Sequence, residues 1–179
     1  MTFASNPQPH SASPAVADLG SRQTVSIDYL ADHPEFLPAL AQETLDHYQH
    51  ILRDETLEKR FAKLRSHMHT DSLPLALVAS ADGELFGMGA LREHDLPGHD
   101  ELTPWLAGMF VRPQHRRRGV GAAICAALEE KAWLMGFPVL YLFTLDQQRL
   151  YARLGWQQLQ ASSWLGHPVD IMFKRRPNA

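Results

Sequence analysis

The sequence Arg116-Arg117-Arg118-Gly119-Val120-Gly121-Ala122 joins a predicted strand to a predicted helix. A helix N-terminus presents unpaired N–H groups and a partial positive charge, and both favour a bound phosphate. Gly119 and Gly121 have no Cβ, so a ligand can approach the backbone closely. The three arginines add forked donors that match phosphate oxygens. This loop is therefore predicted to bind a diphosphate.

Two common phosphate-binding motifs do not fit the loop. A P-loop requires Lys followed by Ser or Thr at the helix start, where this chain has Ala122 and Ala123. A dinucleotide-binding fingerprint requires a third glycine at the position of Ile124. A simpler alternative is that the arginines form a solvated charge run and the glycines only shape a turn. The loop alone leaves that alternative open.

The loop and a second motif further along the chain both resemble motifs of one known superfamily. The pattern Arg-x-x-Gly-x-Gly resembles the acyl-CoA loop of the GNAT superfamily of N-acetyltransferases. The segment Leu150-Tyr151-Ala152-Arg153-Leu154-Gly155-Trp156 is similar to the Phe-Tyr-x-x-x-Gly-Phe segment of the same superfamily. The resemblance covers residues 75–175 and is strongest over 105–157. It implies an α/β fold with a mixed, centrally splayed β-sheet flanked by helices.

The resemblance also implies site residues and a mechanism, in which an amine attacks the acetyl-CoA thioester directly. The CoA pyrophosphate would be held by the motif's first residue, Arg116, and by the backbone N–H groups of Arg117, Arg118, Gly119, Val120, Gly121 and Ala122. The strand residues Met109, Phe110 and Val111 would pair with the pantetheine arm, and an N–H near Met109 would polarise the thioester carbonyl. Tyr151 would donate a proton to the leaving thiolate, although a tyrosine at this spacing can also be simple packing.

The general base and the acceptor are less defined. Many relatives carry a Glu on the strand before the loop, but residues 105–109 of this chain contain no carboxylate. Nearby candidates are Glu93, His94, Asp95, Asp100 and Glu101, each of which could equally be a solvated loop residue. The acceptor pocket is expected between the first two helices, the 91–105 loop and the final hairpin, with an acidic rim that attracts a cationic amine. The rim residues would be Glu43, Asp46, Asp54, Glu55, Glu93, Asp95, Asp100 and Glu101.

The rest of the chain reads as one domain. Residues 1–22 are rich in Ser, Pro and Ala without apolar periodicity and are predicted to be a disordered tail. Residues 23–176 are predicted to form a single acyltransferase domain. In it, a first strand precedes two amphipathic helices, the second capped by Asp54 or Thr56, and a β-hairpin. A strand, a helix ending at Gly136, a strand, a short helix capped by Asp146 and two last strands follow.

Composition excludes several other classes of protein. With 17 basic and 20 acidic residues, a formal net charge of -3 and 21% charged residues, the chain is not a typical nucleic-acid or membrane-surface binder. The single cysteine, Cys125, is predicted to be buried and inert, and it suits a cytoplasmic protein. The histidines show no metal-ligand spacing, so no metal is expected.

The sequence therefore predicts an N-acetyltransferase that uses acetyl-CoA and a primary amine, on a small molecule or a peptide N-terminus, as its acceptor. Two alternatives remain open: another acyl-CoA donor, or a CoA-binding regulatory module that has lost catalysis. A homodimer is possible because related enzymes are often dimers.

Overall fold

The computed structural model describes residues 15–18 and 24–177 and places their eight strands in one sheet. The strand order is β1-β2-β3-β4-β5-β6-β8-β7. The strands are β1 (Ala15–Asp18), β2 (Thr24–Tyr29), β3 (Leu75–Ala81), β4 (Glu84–Arg92), β5 (Trp105–Val111), β6 (Val139–Thr144), β7 (Gln157–Trp164) and β8 (His167–Arg175). The helices are α1 (Leu37–Tyr48), α2 (Leu57–Arg65), α3 (Val120–Leu134) and α4 (Gln148–Arg153).

The centre of the sheet is held together weakly between β5 and β6. These strands are parallel and share one register pair, Trp105 with Tyr141, and every other neighbouring pair of strands is antiparallel. The Tyr141 N–H also donates to the Pro104 carbonyl at 3.0 Å. Beyond Trp105 the two strands have no further paired positions among the described residues. The predicted mixed, centrally splayed α/β sheet is thus confirmed.

Two apolar clusters cover the two faces of the sheet. On one face, α3 buries Ile124 and Leu128 against strand residues that include Phe86. On the other face, α1 and α2 bury Leu40 and Leu64 against residues of β3, β4 and β5. The strand β4 reads as a continuous apolar run because both of its faces are covered. The loop after β5 is thereby fixed between two packed layers.

One prediction about the N-terminal tail is wrong for four residues. Ala15–Asp18 form β1 and pair antiparallel with β2, although the sequence predicts disorder there. An edge strand needs only the backbone N–H and C=O groups of its neighbour, so it can form without an apolar period. The remaining residues of the predicted tail lie outside the described part of the chain.

The helix ends follow the predicted signals with one exception. Thr56 caps α2 by accepting a hydrogen bond from the Lys59 N–H at 3.2 Å. Gly136, with φ of 90°, follows the end of α3 as a left-handed residue. The predicted cap Asp146 is wrong, because the Thr144 hydroxyl accepts the Gln147 N–H at 3.0 Å instead. Within the described ranges, no helix is both long enough and apolar enough to cross a membrane.

Candidate active site

The start of α3 leaves backbone donors without helical partners. The first bond of the helix runs from the Ala123 N–H to the Gly119 carbonyl at 3.0 Å. The N–H groups of Val120, Gly121 and Ala122 therefore have no acceptor inside the helix. Gly119 occupies the N-cap position at φ of 84° and ψ of -8°, and no side chain caps this end. The helix start that the sequence predicts to bind an anion thus presents backbone N–H groups without helical acceptors.

The three arginines before the helix have different environments. Arg116 folds back so that its Nε donates to the Val111 carbonyl at 2.9 Å. Arg117 has a positive φ of 58°, an unusual conformation for a residue other than glycine. The Arg118 guanidinium lies 3.4 Å from His115 Nδ1. Arg116 therefore braces the loop against β5, whereas Arg117 is exposed at the bend.

His115 and Arg112, which the sequence analysis did not single out, hold the loop against neighbouring elements. The His115 ring stacks on Phe86 with centroids 3.7 Å apart and an interplanar angle of 7°. His115 Nε2 lies 2.9 Å from a Glu84 carboxylate oxygen. Arg112 makes a bidentate pair with Glu43, with its Nε and Nη2 donating at 2.8 and 2.6 Å. These contacts attach the loop to β4 and α1.

A β-bulge interrupts β5 just before the loop. Met88 pairs with Phe110 and Ala90 with Ala107, so Gly89 faces two residues, Gly108 and Met109. Gly108 adopts a φ of 60°. A Cβ on Gly89 would lie 2.5 Å from the Met109 sulfur and 2.7 Å from a Leu128 methyl group. Glycine at position 89 therefore allows Met109 to turn back onto α3.

The bulge is also held from the opposite face of the sheet. The Tyr48 hydroxyl, at the end of α1, donates to the Met109 carbonyl at 2.8 Å. Burial raises the pKa of Tyr48, so it stays a donor over the ordinary pH range. Phe110 is buried in the α1 and α2 cluster, and Val111 is half-buried beside Gly87. The three predicted strand residues are thus arranged around a fixed bulge.

Tyr151 lies in α4 with its side chain 9% exposed. Its ring meets Trp156 edge-on, with centroids 6.1 Å apart. Among the described residues its hydroxyl has no hydrogen-bond partner. Burial raises the pKa of Tyr151 well above its usual value, with smaller effects from Cys125 and Tyr48. A protonated phenol without a protein acceptor is suited to donate a proton to a substrate.

Several acidic residues of the predicted rim are already paired with cations. Asp95 pairs with Arg92, and Glu43 is held by Arg112. Glu55 lies 3.5 Å from the Nε of Arg60. Three of the eight predicted rim carboxylates thus lie beside arginines, whereas Glu93, Asp100 and Glu101 are exposed in the segment before β5.

An open cavity of about 560 Å³ overlaps the expected acceptor pocket. It matches the side formed by the first two helices and the side formed by the final hairpin, but no residue of the 91–105 loop lines it. It is bordered by the α1–α2 connection and by the tip of the β7–β8 hairpin. The wall combines apolar side chains with both acidic and basic ones: Ile51, Leu52, Arg53, Asp54, Glu55, Lys59, Leu165 and His167.

Cys125 and Glu129 are structural residues of the core. Cys125 is buried, its thiol lies 3.4 Å from Glu129, and burial raises its pKa, so it is not a nucleophile. Glu129 also accepts from Trp156 Nε1 at 2.8 Å and from Lys174 Nζ at 2.6 Å. Across the described residues, no group of three or more His, Cys, Asp or Glu could hold a metal ion.

Comparison with known families identifies the class of protein. The model of the acetyltransferase (GNAT) family matches residues 34–156. Because this match spans more than half of the chain, the protein belongs to the GNAT family. No curated protein matches the chain significantly.

Solved structures share the fold at low sequence identity. An aminoglycoside 6'-N-acetyltransferase in complex with coenzyme A aligns with 16% identity and a TM-score of 0.64, over 85% of this chain and 99% of that one. A ribosomal-protein-alanine N-acetyltransferase from Brucella melitensis gives 19% and 0.66, over 84% and 99%. N-acetylglutamate synthase from Neisseria gonorrhoeae, with coenzyme A and N-acetyl-glutamate, gives 23% and 0.59, over 84% and 35%. The names of these three proteins indicate three different acceptors, so the shared fold does not define the acceptor.

Proposed function

We propose that this GNAT protein is an N-acetyltransferase that moves an acetyl group from acetyl-CoA to a primary amine. The observation that carries the proposal is the uncapped N-terminus of α3, which opens beside the unpaired edge of β5. A diphosphate fits the first feature because it accepts several N–H bonds, and an extended amide-bearing arm fits the second because it can pair with a strand edge.

In this proposal the chain binds acetyl-CoA, orients its thioester and supplies a proton to the leaving group. The N–H groups of residues 117–122 hold the pyrophosphate, and the edge of Met109, Phe110 and Val111 holds the pantetheine arm. The amine nitrogen attacks the thioester carbonyl carbon, and the C–S bond breaks. Tyr151 gives its phenolic proton to the leaving thiolate and regains one from solvent, while the amine loses its own proton to water.

A second candidate function is a CoA-binding module without catalysis. It is favoured by the missing carboxylate on β5 and by the pairing of Asp95 and Glu43 with arginines. The unpartnered hydroxyl of Tyr151 favours catalysis instead. The first proposal also has a variant in which the donor is an acyl-CoA other than acetyl-CoA. The assay described next includes such donors.

The test is thiol release from acetyl-CoA and other acyl-CoA donors with a panel of polyamines, aminoglycosides, amino acids and short peptides. We expect one acceptor class to turn over, and Tyr151→Phe to reduce kcat while CoA binding, measured by calorimetry, is retained. Binding of CoA without turnover on any acceptor would favour the non-catalytic module. No binding of CoA would remove the assignment of the loop.

Two further expectations belong to the proposal. The single cysteine of the chain is compatible with the predicted cytoplasmic location. The predicted homodimer is tested by light scattering of the purified protein at several concentrations.

A further inference from the structure

Arg60 on α2 is a buried cation with unused hydrogen-bonding capacity. Its side chain is 8% exposed, and burial lowers its pKa. Among the described residues, its Nε and Nη2 atoms are buried without a hydrogen-bond partner. The nearest carboxylate, on Glu55, approaches Nε to 3.5 Å without forming a hydrogen bond. Such an arrangement is costly unless another acceptor completes it.

The unpaired atoms form the edge of the guanidinium that binds a carboxylate side-on. The same edge is occupied elsewhere in this protein, where Nε and Nη2 of Arg112 donate to the two oxygens of Glu43 at 2.8 and 2.6 Å. Arg60 therefore presents a planar, two-donor fork with the spacing of a carboxylate.

The residues around Arg60 leave an excess of positive charge. Arg92 is paired with Asp95, and its Nε donates to His67 Nε2 at 2.7 Å. Burial, Arg92 and other neighbours lower the pKa of His67 to about 4, so the ring is neutral. Three cations, Arg60, Lys63 and Arg92, thus interact with two carboxylates, Glu55 and Asp95, and of the three cations only Lys63 is exposed to solvent. One more negative charge would balance the cluster.

The cluster adjoins both the bulge of β5 and the open cavity. The Arg60 guanidinium carbon lies 5.7 Å from the centre of the Tyr48 ring, whose hydroxyl holds the Met109 carbonyl. Arg92 Nη2 lies 3.4 Å from the position of a Cβ on Gly108. On the other side, Glu55 lines the cavity of about 560 Å³. Glu55 therefore borders the cavity and also lies 3.5 Å from Arg60 Nε.

We propose that the acceptor is an amine that also carries a carboxylate, as in an amino acid, and that Arg60 binds this carboxylate through Nε and Nη2. The inference rests on the proposed transferase function. The carboxylate takes the place that Glu55 approaches, and the amine is then directed toward the β5 bulge. When the acceptor is absent, the Glu55 carboxylate lies close to this position, and it therefore competes with the ligand carboxylate for Arg60.

Binding without turnover is the first test, since it does not depend on catalysis. Calorimetry with saturating CoA compares a panel of N-acetyl amino acids with the matching N-acetyl carboxamides. We expect at least one carboxylate to bind about 10-fold to 100-fold more tightly than its carboxamide. If no pair shows a preference, or if the carboxamides bind more tightly, the proposal is overturned.

Three variants assign that preference to particular residues. Arg60→Met keeps most of the side-chain volume and should abolish the preference for the carboxylate. Arg65→Met, an exposed position on the same helix, should retain it. Glu55→Gln removes the competing charge and should strengthen carboxylate binding. Weaker carboxylate binding by Glu55→Gln would contradict the proposal even if Arg60→Met did not fold.

Thiol release with amino acids and their carboxamides separates this inference from the proposed function. Turnover without a carboxylate preference would leave the transferase in place and remove the role of Arg60. A carboxylate preference in binding, with no thiol release from any donor, would keep the anion site and reject the transferase.

Discussion

The hydroxyl of Tyr48 donates a hydrogen bond to the main-chain carbonyl of Met109 at 2.8 Å. The two residues are 61 positions apart, and the bond joins the last residue of α1 to the bulge of β5. The bulge in turn lies beside the strand edge proposed to hold the acyl-bearing arm. Tyr48 is therefore a positioning residue for the backbone at this edge.

Replacing Tyr48 with Phe should lower kcat by about 10-fold or more with little change in affinity for CoA, since a small displacement of a reacting group is costly. The lost hydrogen bond should also reduce the free energy of unfolding by about 1 kcal/mol. Steady-state kinetics and urea unfolding measure the two effects. Tyr29→Phe, on β2, is the matched control, and an unchanged kcat in Tyr48→Phe would argue against positioning.

Replacing Tyr151 with Phe should lower kcat by about 100-fold to 10,000-fold, the usual contribution of a general acid. Because burial raises the pKa of Tyr151, the phenol of the wild type remains protonated as pH rises. The kcat of the wild type should therefore show no loss from deprotonation of this acid between pH 7 and about 10. A decline in that interval that Tyr151→Phe removes would show an acid of lower pKa than the structure indicates.

Replacing Gly119 with Ala should weaken CoA binding. A residue with a Cβ is strained by about 1–2 kcal/mol at the φ of 84° found here. Relief of this strain should shift the first N–H groups of α3. Gly136→Ala imposes a similar strain, at φ of 90°, on the other end of the same helix. Both variants should lose similar stability in thermal unfolding. Only Gly119→Ala should lose CoA affinity in calorimetry, and equal loss in both would indicate a general effect of destabilisation.

Stability should fall in acid because of His67, which is 3% exposed. Its folded pKa of about 4 lies below the usual 6.5, chiefly because of burial. The unfolded chain therefore takes up the proton first, so stability present above pH 6.5 is lost as pH falls toward 4. The loss should reach up to about 3 kcal/mol. Urea unfolding at several pH values measures it.

Substitution of His67 with Gln should flatten this dependence, since an amide oxygen can still accept from Arg92 but does not titrate. His50→Gln, an exposed control on the segment after α1, should leave the dependence unchanged. If the curve of His67→Gln matched that of the wild type, other groups would be responsible for acid sensitivity.

The parts of the fold that sequence predicted correctly have local causes. Strand alternation, the spacing of apolar residues and Gly136 fixed where most elements lie, because these signals involve near neighbours in the chain. The turn that opens α3 was predicted for the same reason, since its backbone N–H groups come from consecutive residues. Asp146 failed as a cap because Thr144, two residues earlier, could supply a competing oxygen.

The parts that sequence could not predict depend on contacts between distant residues. Glu43 and Arg112 are 69 positions apart, and their bond cancels a charge that the sequence placed on an acidic rim. Nothing in the sequence distinguishes Arg60 from the other basic residues of α2, Lys59, Lys63 and Arg65. Only its burial and its unpaired atoms reveal a possible ligand site. No periodicity in the sequence reports such a deficit.

The single pair between Trp105 and Tyr141 has a consequence for how the protein unfolds. The strands on the two sides of this seam are joined by few main-chain bonds, so they form two units whose local opening is coupled mainly through side-chain packing. A molecule bound between β5 and β6 would bridge the seam and make the two units open together. Amide exchange in β6 and β8 should then slow on CoA binding, far beyond the residues that touch it.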